Sequence, residues 1–356
     1  MKELFVWWQF NGDNSCYCQL HCPECYGRGT RTYRHYWSGD VDKWEKAFVK
    51  VDAQHGNGGI YFVFSYGEAL VSKGFYECVE MIGKHPTWTL NIITNLMVSP
   101  ERLLQTQLTQ EKRLFMMPCW HPEGVDDKEE SWVIFRRHLL MLKAAGVPTH
   151  VMMVWFGPVI KDFPRYFKWL DTNNFRVGVR RFVYDSFTKK VFSKIPKIHG
   201  LFNDRYVLKK YLEAEKGYLY AYTCPKVTEY GLKLSSPKGM LCYAGKDMIL
   251  VKCDGTVKLC ASLEGDNTFM LGNIFDSTFW LNVLPVQCPT RNCGGDFGCL
   301  VLCDERFGDL PEKMWRDTFI SQVENVRQGS PVPYLRRDEM LKFIEVLKCE
   351  NLWKEP

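Results

Sequence analysis

Residues 4–25 read LFVWWQFNGDNSCYCQLHCPEC: a short apolar run, a polar loop, then Cys18-Gln19-Leu20-His21-Cys22-Pro23-Glu24-Cys25, three thiols within eight residues. The run Leu4–Trp8 has the length and the aromatic and β-branched content of a strand. A loop leaving the C-terminal end of a strand is where barrels of alternating β and α units carry their chemistry. Three thiolates in that loop can bind three irons of a four-iron cluster and leave one iron open to another molecule. With 15 cysteines in 356 positions, this spacing follows a given cysteine by chance with a frequency of about 0.002, so coincidence explains it poorly. Zinc is the competing metal, because Cys16 or His21 can complete the four ligands that a structural zinc site requires.

Outward from this loop, residues 4 to about 185 alternate short β-rich runs with stretches of helical period, as in a parallel sheet with crossover helices. The predicted strands are Leu4–Trp8, Gly59–Phe64, Leu90–Thr94, Arg113–Met117, His150–Trp155 and Gly178–Tyr184. The clearest predicted helix covers Ser131–Ala145, where Trp132, Phe135, Leu139 and Leu142 recur at helical spacing before Gly146-Val147-Pro148 stops it. Six βα units point to an α/β fold of the partial (βα)6 TIM-barrel type over residues 1–190, with an open doubly wound sheet as the alternative. Residues 191–240 read as a connecting region. Residues 241–310, dense in Gly and Cys and poor in periodic runs, read as a small domain organised by metal, and 311–356 as a closing helical segment.

Seven of the cysteines lie between Cys242 and Cys303 and four between Cys16 and Cys25, while Cys78, Cys119, Cys224 and Cys349 stand singly and read as packing residues. Cys242, Gly255 and Cys260 follow Cys-x12-Gly-x4-Cys, and Cys288, Cys293, Cys299 and Cys303 come after them. Asp254-Gly255-Thr256-Val257 reads as a tight hairpin turn that brings Cys242 toward Cys260. Cys253, beside the turn, is open to a structural or a ligand role, and a zinc ribbon built from four of these cysteines is the competing reading of the segment.

The Cys-x3-Cys-x2-Cys spacing at Cys18, Cys22 and Cys25 resembles the signature of the radical S-adenosylmethionine superfamily. Ser65-Tyr66-Gly67-Glu68-Ala69-Leu70, ending the second predicted strand, resembles the family's Gly-Gly-Glu-Pro motif, with Tyr66 and Ala69 as departures. The resemblance implies that the backbone at Ser65 and Gly67 and the carboxylate of Glu68 receive the methionyl ammonium. It implies ribose contacts at Thr94 and Asn95, and a place near adenine for Tyr26, since Glu24 stands where the family has an aromatic residue. The C-terminal pattern, with Leu271-Gly272-Asn273-Ile274, resembles the SPASM or twitch extension. The cofactors so implied are a 4Fe-4S cluster on Cys18, Cys22 and Cys25, S-adenosylmethionine, and at least one auxiliary iron-sulfur cluster of the 4Fe-4S kind. Cys242 and Cys260 are its first ligands, with two more from Cys288, Cys293, Cys299 and Cys303.

The implied reaction is reductive cleavage of S-adenosylmethionine to a 5′-deoxyadenosyl radical, which takes a hydrogen atom from a peptide or small-molecule substrate. A flavodoxin or ferredoxin is the kind of electron donor this requires. Peptide or protein modification is the first expectation. The cysteines begin eighteen residues in, which leaves no room for an N-terminal leader-binding domain and keeps a sugar, alcohol or cofactor precursor as the alternative substrate. A non-catalytic iron-sulfur or zinc protein is the reading from another class, and it needs four ligands per cluster and no acid at Glu68.

His121, after the fourth predicted strand, reads as a substrate-binding residue or as a loop histidine held by a carbonyl. Arg180, Arg181, Tyr184 and Asp185 read as binding groups or surface ion pairs. The net charge of +5 with no long basic run gives no support for nucleic-acid or membrane-surface binding. No run approaches the roughly 18 apolar residues of a membrane span and the N-terminus has no signal-type pattern, so a cytoplasmic location is expected.

Overall fold

The structure, a computed structural model, describes residues 3–9, 18–20, 22, 40–65, 67–155, 163–181, 241–260, 269–282 and 286–287. In chain order these form β1 (Leu4–Gln9), α1 (Val41–His55), β2 (Ile60–Phe64), a 3-10 turn (Ala69–Val71), α2 (Phe75–Gly83), β3 (Thr89–Thr94), α3 (Glu101–Leu104), α4 (Gln107–Gln110), β4 (Leu114–Trp120), α5 (Lys128–Ala144), β5 (His150–Trp155), α6 (Phe163–Thr172) and β6 (Arg176–Arg181). The later strands are β7 (Leu241–Cys242), β8 (Met248–Lys252), β9 (Thr256–Lys258), β10 (Met270–Asn273) and β11 (Val286–Gln287). The described residues fall into two compact units, one holding 3–9, 40–62 and those from 241 onward, the other holding 18–20, 22 and those from 63 to 181.

In the first unit the strands lie in the order β10-β9-β8-β1-β2. β8 runs parallel to β1, with Phe5 opposite Met248 and Gln9 opposite Lys252, and β9 and β10 continue from it as antiparallel strands. All five residues of β8 are buried, which is why MILVK is apolar nearly throughout rather than alternating. The predicted hairpin is present: Gly255 turns at φ +85, a region an L side chain rarely adopts, and Asp254 accepts a bond from the Thr256 N–H.

α1 is the helix of this unit. Asp40 caps its start by accepting from the Lys43 N–H at 3.0 Å, and Gly56 ends it at φ 99. Its buried face carries Trp44, Ala47, Phe48 and Val51. Trp8 of β1 stands 4.7 Å from the rings of both Trp44 and Phe48, and Phe275 closes on Trp44 at 4.6 Å. Each such ring contributes roughly 2–3 kcal/mol by leaving water. Gln54 donates to the Phe279 carbonyl and accepts from the Leu281 N–H, and Lys50 donates to the carbonyls of Ile274 and Asp276. The described part of the cysteine-dense segment is held by strand pairing and an apolar face. The sequence reading missed this because the runs are short, five residues in β8 and three in β9.

In the second unit β3, β4, β5 and β6 follow the end of β2, and the pairs β3–β4, β4–β5 and β5–β6 are parallel. Each strand from β2 to β5 is followed by helix, as the alternation predicted. β4 runs three residues past the predicted Met117, through Pro118 opposite Thr94 and on to Trp120. Pro118 cannot donate to the ladder, yet the strand continues through it. Trp120 packs on Trp132 and Phe135 of α5 and Tyr166 of α6 at 5.0 to 5.4 Å. Alternation along β4 then turns Phe115, Met117 and Cys119 to the opposite face of the sheet. α5 starts earlier than its apolar period implied, because Asp127 accepts from the N–H groups of Glu129 and Glu130. β6 spans Arg176–Arg181, starting two residues before the expected Gly178 and pairing along its length with β5, while the expected end at Tyr184 lies outside the described residues. Among the described residues, no helix is long and apolar enough to cross a membrane.

Candidate functional site

The C-terminal ends of β2, β3 and β4 bring the second unit's chemistry-bearing residues together. After β2 come the buried Ser65, Gly67 at φ +66 and Glu68, whose side chain is wholly buried. Gly67 occupies a left-handed backbone conformation, which explains the residue type. Glu68 Oε1 accepts from Thr94 Oγ1 at 2.6 Å and from the Leu70 N–H at 3.2 Å, while Oε2 accepts from the Asn95 N–H at 2.7 Å. The acid thus ties the end of β2 to the end of β3. Burial pushes its pKa up to about 7, against the pull of the bonds from Thr94, Asn95 and Leu70. The turn continues through Leu96, a fully buried non-glycine residue at φ 56, held by its N–H to Thr94 Oγ1 and its carbonyl to the His138 ring.

Cys18 stands against this network. Asn95 Nδ2 donates to its Sγ at 3.3 Å and the Leu20 N–H does so at 3.4 Å. Asn95 Oδ1 accepts in turn from Gln19 Nε2 and the Met97 N–H, so one amide fixes the cysteine loop to the end of β3. Burial, above all, raises the Cys18 thiol to about 11, with the charges at Glu68 and Cys22 adding to it and the two N–H donors opposing it. Without a metal the thiol stays protonated near neutral pH, and ligation releases its proton.

Cys22 meets the turn that follows β4. His121, Glu123 and Cys22 place one ligand-type atom each within 4.8 Å of one another. His121 Nδ1 lies 2.9 Å from Glu123 Oε1, a carboxylate where a carbonyl partner was expected. Burial works to lower the His121 pKa, but its bonds to the Cys119 and Cys22 thiols and to Glu123 outweigh this and hold it well above the ordinary imidazole value. A Cβ on Gly124 would sit 2.3 Å from Cys22 Sγ and 3.0 Å from the Cys22 nitrogen, so only glycine fits there without displacing backbone.

The structure therefore gathers Cys18, Cys22, Ser65, Gly67, Glu68, Thr94 and Asn95 in one unit. Cys25, Tyr26, Tyr184, Asp185, Cys288, Cys293, Cys299 and Cys303 lie outside the described residues, as do Cys16 and His21. Arg180 and Arg181 end β6. Cys242, Cys253 and Cys260 belong to the other unit and are all buried, and Cys242 Sγ accepts from the Ala244 N–H at 3.4 Å. Sequence reasoning missed Glu123, Gly124 and Leu96. Glu123-Gly124 closing a turn was a signal available in the sequence; the left-handed Leu96 had none. The thiols of Cys18 and Cys22, with N–H donors already aimed at the first sulfur, suit a thiolate-ligated cluster.

No family model matches the chain, and no curated protein does. Solved structures do. Over 78% of this chain and 76% of its own length, anSMEcpe with bound AdoMet matches at 18% identity and a TM-score of 0.51. The same enzyme with bound AdoMet and Kp18Cys peptide matches at 18% identity, 78% and 79% coverage and a TM-score of 0.50. SuiB of Streptococcus suis bound to S-adenosylmethionine matches at 14% identity and a TM-score of 0.52, over 78% of this chain and 64% of SuiB. The chain has the α/β fold of these structures, with a parallel sheet core of the partial TIM-barrel kind.

Proposed function

We propose that this chain is a radical S-adenosylmethionine enzyme that modifies a peptide or protein. The observation that carries the reading is the Cys18–Asn95–Glu68 network, which seats the first cysteine of a three-cysteine loop on the ends of β2 and β3. Cys18, Cys22 and Cys25 would hold a 4Fe-4S cluster with one open iron, and when bound it supplies the electron that cleaves the sulfonium of S-adenosylmethionine. That electron comes from a low-potential donor of the flavodoxin or ferredoxin class. The chemistry these groups would supply is reductive cleavage to methionine and a 5′-deoxyadenosyl radical, which would take a hydrogen atom from the substrate and end as 5′-deoxyadenosine.

The protein's own part is binding and orientation. Gly67 opens the backbone to the methionyl amine, and Glu68 supplies the anion that pairs with it, an arrangement that favours the ionised acid. Thr94 and Asn95 are the proposed ribose contacts, and Asn95 in addition bonds Cys18. Ser65 and Tyr26 complete the proposed cofactor contacts. Cys242 and Cys260, with two of Cys288, Cys293, Cys299 and Cys303, are proposed ligands of an auxiliary cluster in a domain spanning 241–310, beside a core of 1–190.

The choice of a peptide over a small molecule is supported by the fold shared with anSMEcpe in its Kp18Cys peptide complex. The open iron is tested by electron paramagnetic resonance of the reduced, reconstituted protein. Adding S-adenosylmethionine is expected to shift the signal of one cluster, and Glu68→Gln to weaken that response. A reduced spectrum indifferent to S-adenosylmethionine would contradict the reading.

A further inference from the structure

The turn after β4 takes no part in the proposed reaction, yet it is built tightly against one cysteine. His121 is clamped at Nδ1 by the Glu123 carboxylate at 2.9 Å, and the Gly124 N–H closes the turn on the His121 carbonyl at 3.0 Å. The turn lies so near Cys22 that a Cβ at Gly124 would be 2.3 Å from its sulfur, 3.0 Å from its nitrogen and 3.2 Å from its Cα. Cys22 Sγ, a ring nitrogen of His121 and a Glu123 oxygen share a space 4.8 Å across.

We infer that His121, oriented by Glu123, is a positioning residue for Cys22: its ring polarises the Cys22 sulfur as that sulfur ligates the cluster, and so sets the cluster's reduction potential. This assignment rests on the proposed radical S-adenosylmethionine reading. A carboxylate is an acceptor only, so Glu123 fixes the rotation of the ring and presents its polar edge to the sulfur. Polar groups facing a cluster's sulfurs stabilise the reduced state, which carries one more negative charge, and hydrogen bonding to sulfur is among the factors that set such potentials. The cysteine loop is then asymmetric. Cys18 is addressed by neutral N–H donors from Asn95 and Leu20, and Cys22 by an imidazole backed by an acid.

The test is a redox titration of the reconstituted full chain, followed by the paramagnetic signal that S-adenosylmethionine perturbs, in the wild type, His121→Leu and His121→Gln. Leucine fills the ring's space without a polar edge; glutamine restores an N–H donor. The expected result is a more negative midpoint potential and altered g-values in H121L, with H121Q close to the wild type. A cluster retained by H121Q and lost by H121L would support the assignment equally. Unchanged potential and g-values in a fully loaded H121L would overturn it, as would equal loss of the cluster in both variants, which would make the ring a space filler. A wild type that binds no iron and sulfide would sink the underlying reading, an outcome distinct from a loaded but unshifted H121L.

Discussion

Glu68 has no exposed surface, and its carboxyl is pushed up to about 7 from an ordinary 4.5. The fold favours its neutral form. Its contribution to stability is therefore whole below about pH 4.5 and is lost as the pH rises through about 7. In cluster-free protein the stability of the wild type relative to Glu68→Gln is expected to fall, by on the order of 3 kcal/mol, between pH 4.5 and 8. Urea unfolding at the two pH values checks this, and a difference that stays level or grows with pH would refute it. Gly124 gives a second prediction at this scale. Gly124→Ala forces a methyl group into the Cys22 backbone and is expected to cost about 1–3 kcal/mol and to lower the iron bound per chain after reconstitution. Full iron loading at wild-type stability would show that the turn has room to move. The spacing of Cys18, Cys22 and Cys25 was legible because ligand spacing is local in sequence. The Glu68–Asn95 bond, between residues 27 apart, was not, because it depends on how two strand ends align.

Helix α1 holds its unit through the stack of Trp8, Trp44, Phe48 and Phe275. Trp44→Ala removes a fully buried ring and is expected to destabilise by about 3–5 kcal/mol, read as a lower urea midpoint, whereas loss below 1 kcal/mol would mean that the stack collapses around the gap. At the start of α5, Asp127→Ala removes the acceptor for two N–H groups and is expected to cost about 1 kcal/mol. The βα alternation was readable since strands and helices differ in apolar period. Where it misplaced an end, as at Pro118 in β4 or Asp127 before α5, ladder pairing or a cap decided the boundary rather than periodicity. The pairing of β8 with β1 was hidden for a different reason: MILVK lies some 240 residues from its partner, and nothing local in five buried residues says which strand they join.

Across the whole chain, the proposal to be tested is that S-adenosylmethionine is cleaved here by an electron delivered through Cys18, Cys22 and Cys25; the fold shared with anSMEcpe and SuiB and the bond between Cys18 and Asn95 support it. The most direct test is 5′-deoxyadenosine release from anaerobically reconstituted full-length chain given reductant and S-adenosylmethionine, beside a variant with Cys18, Cys22 and Cys25 all changed to Ala. The account predicts release from the wild type and none from the variant. Zinc instead of iron in the anaerobically isolated protein, or equal release from both, would contradict it.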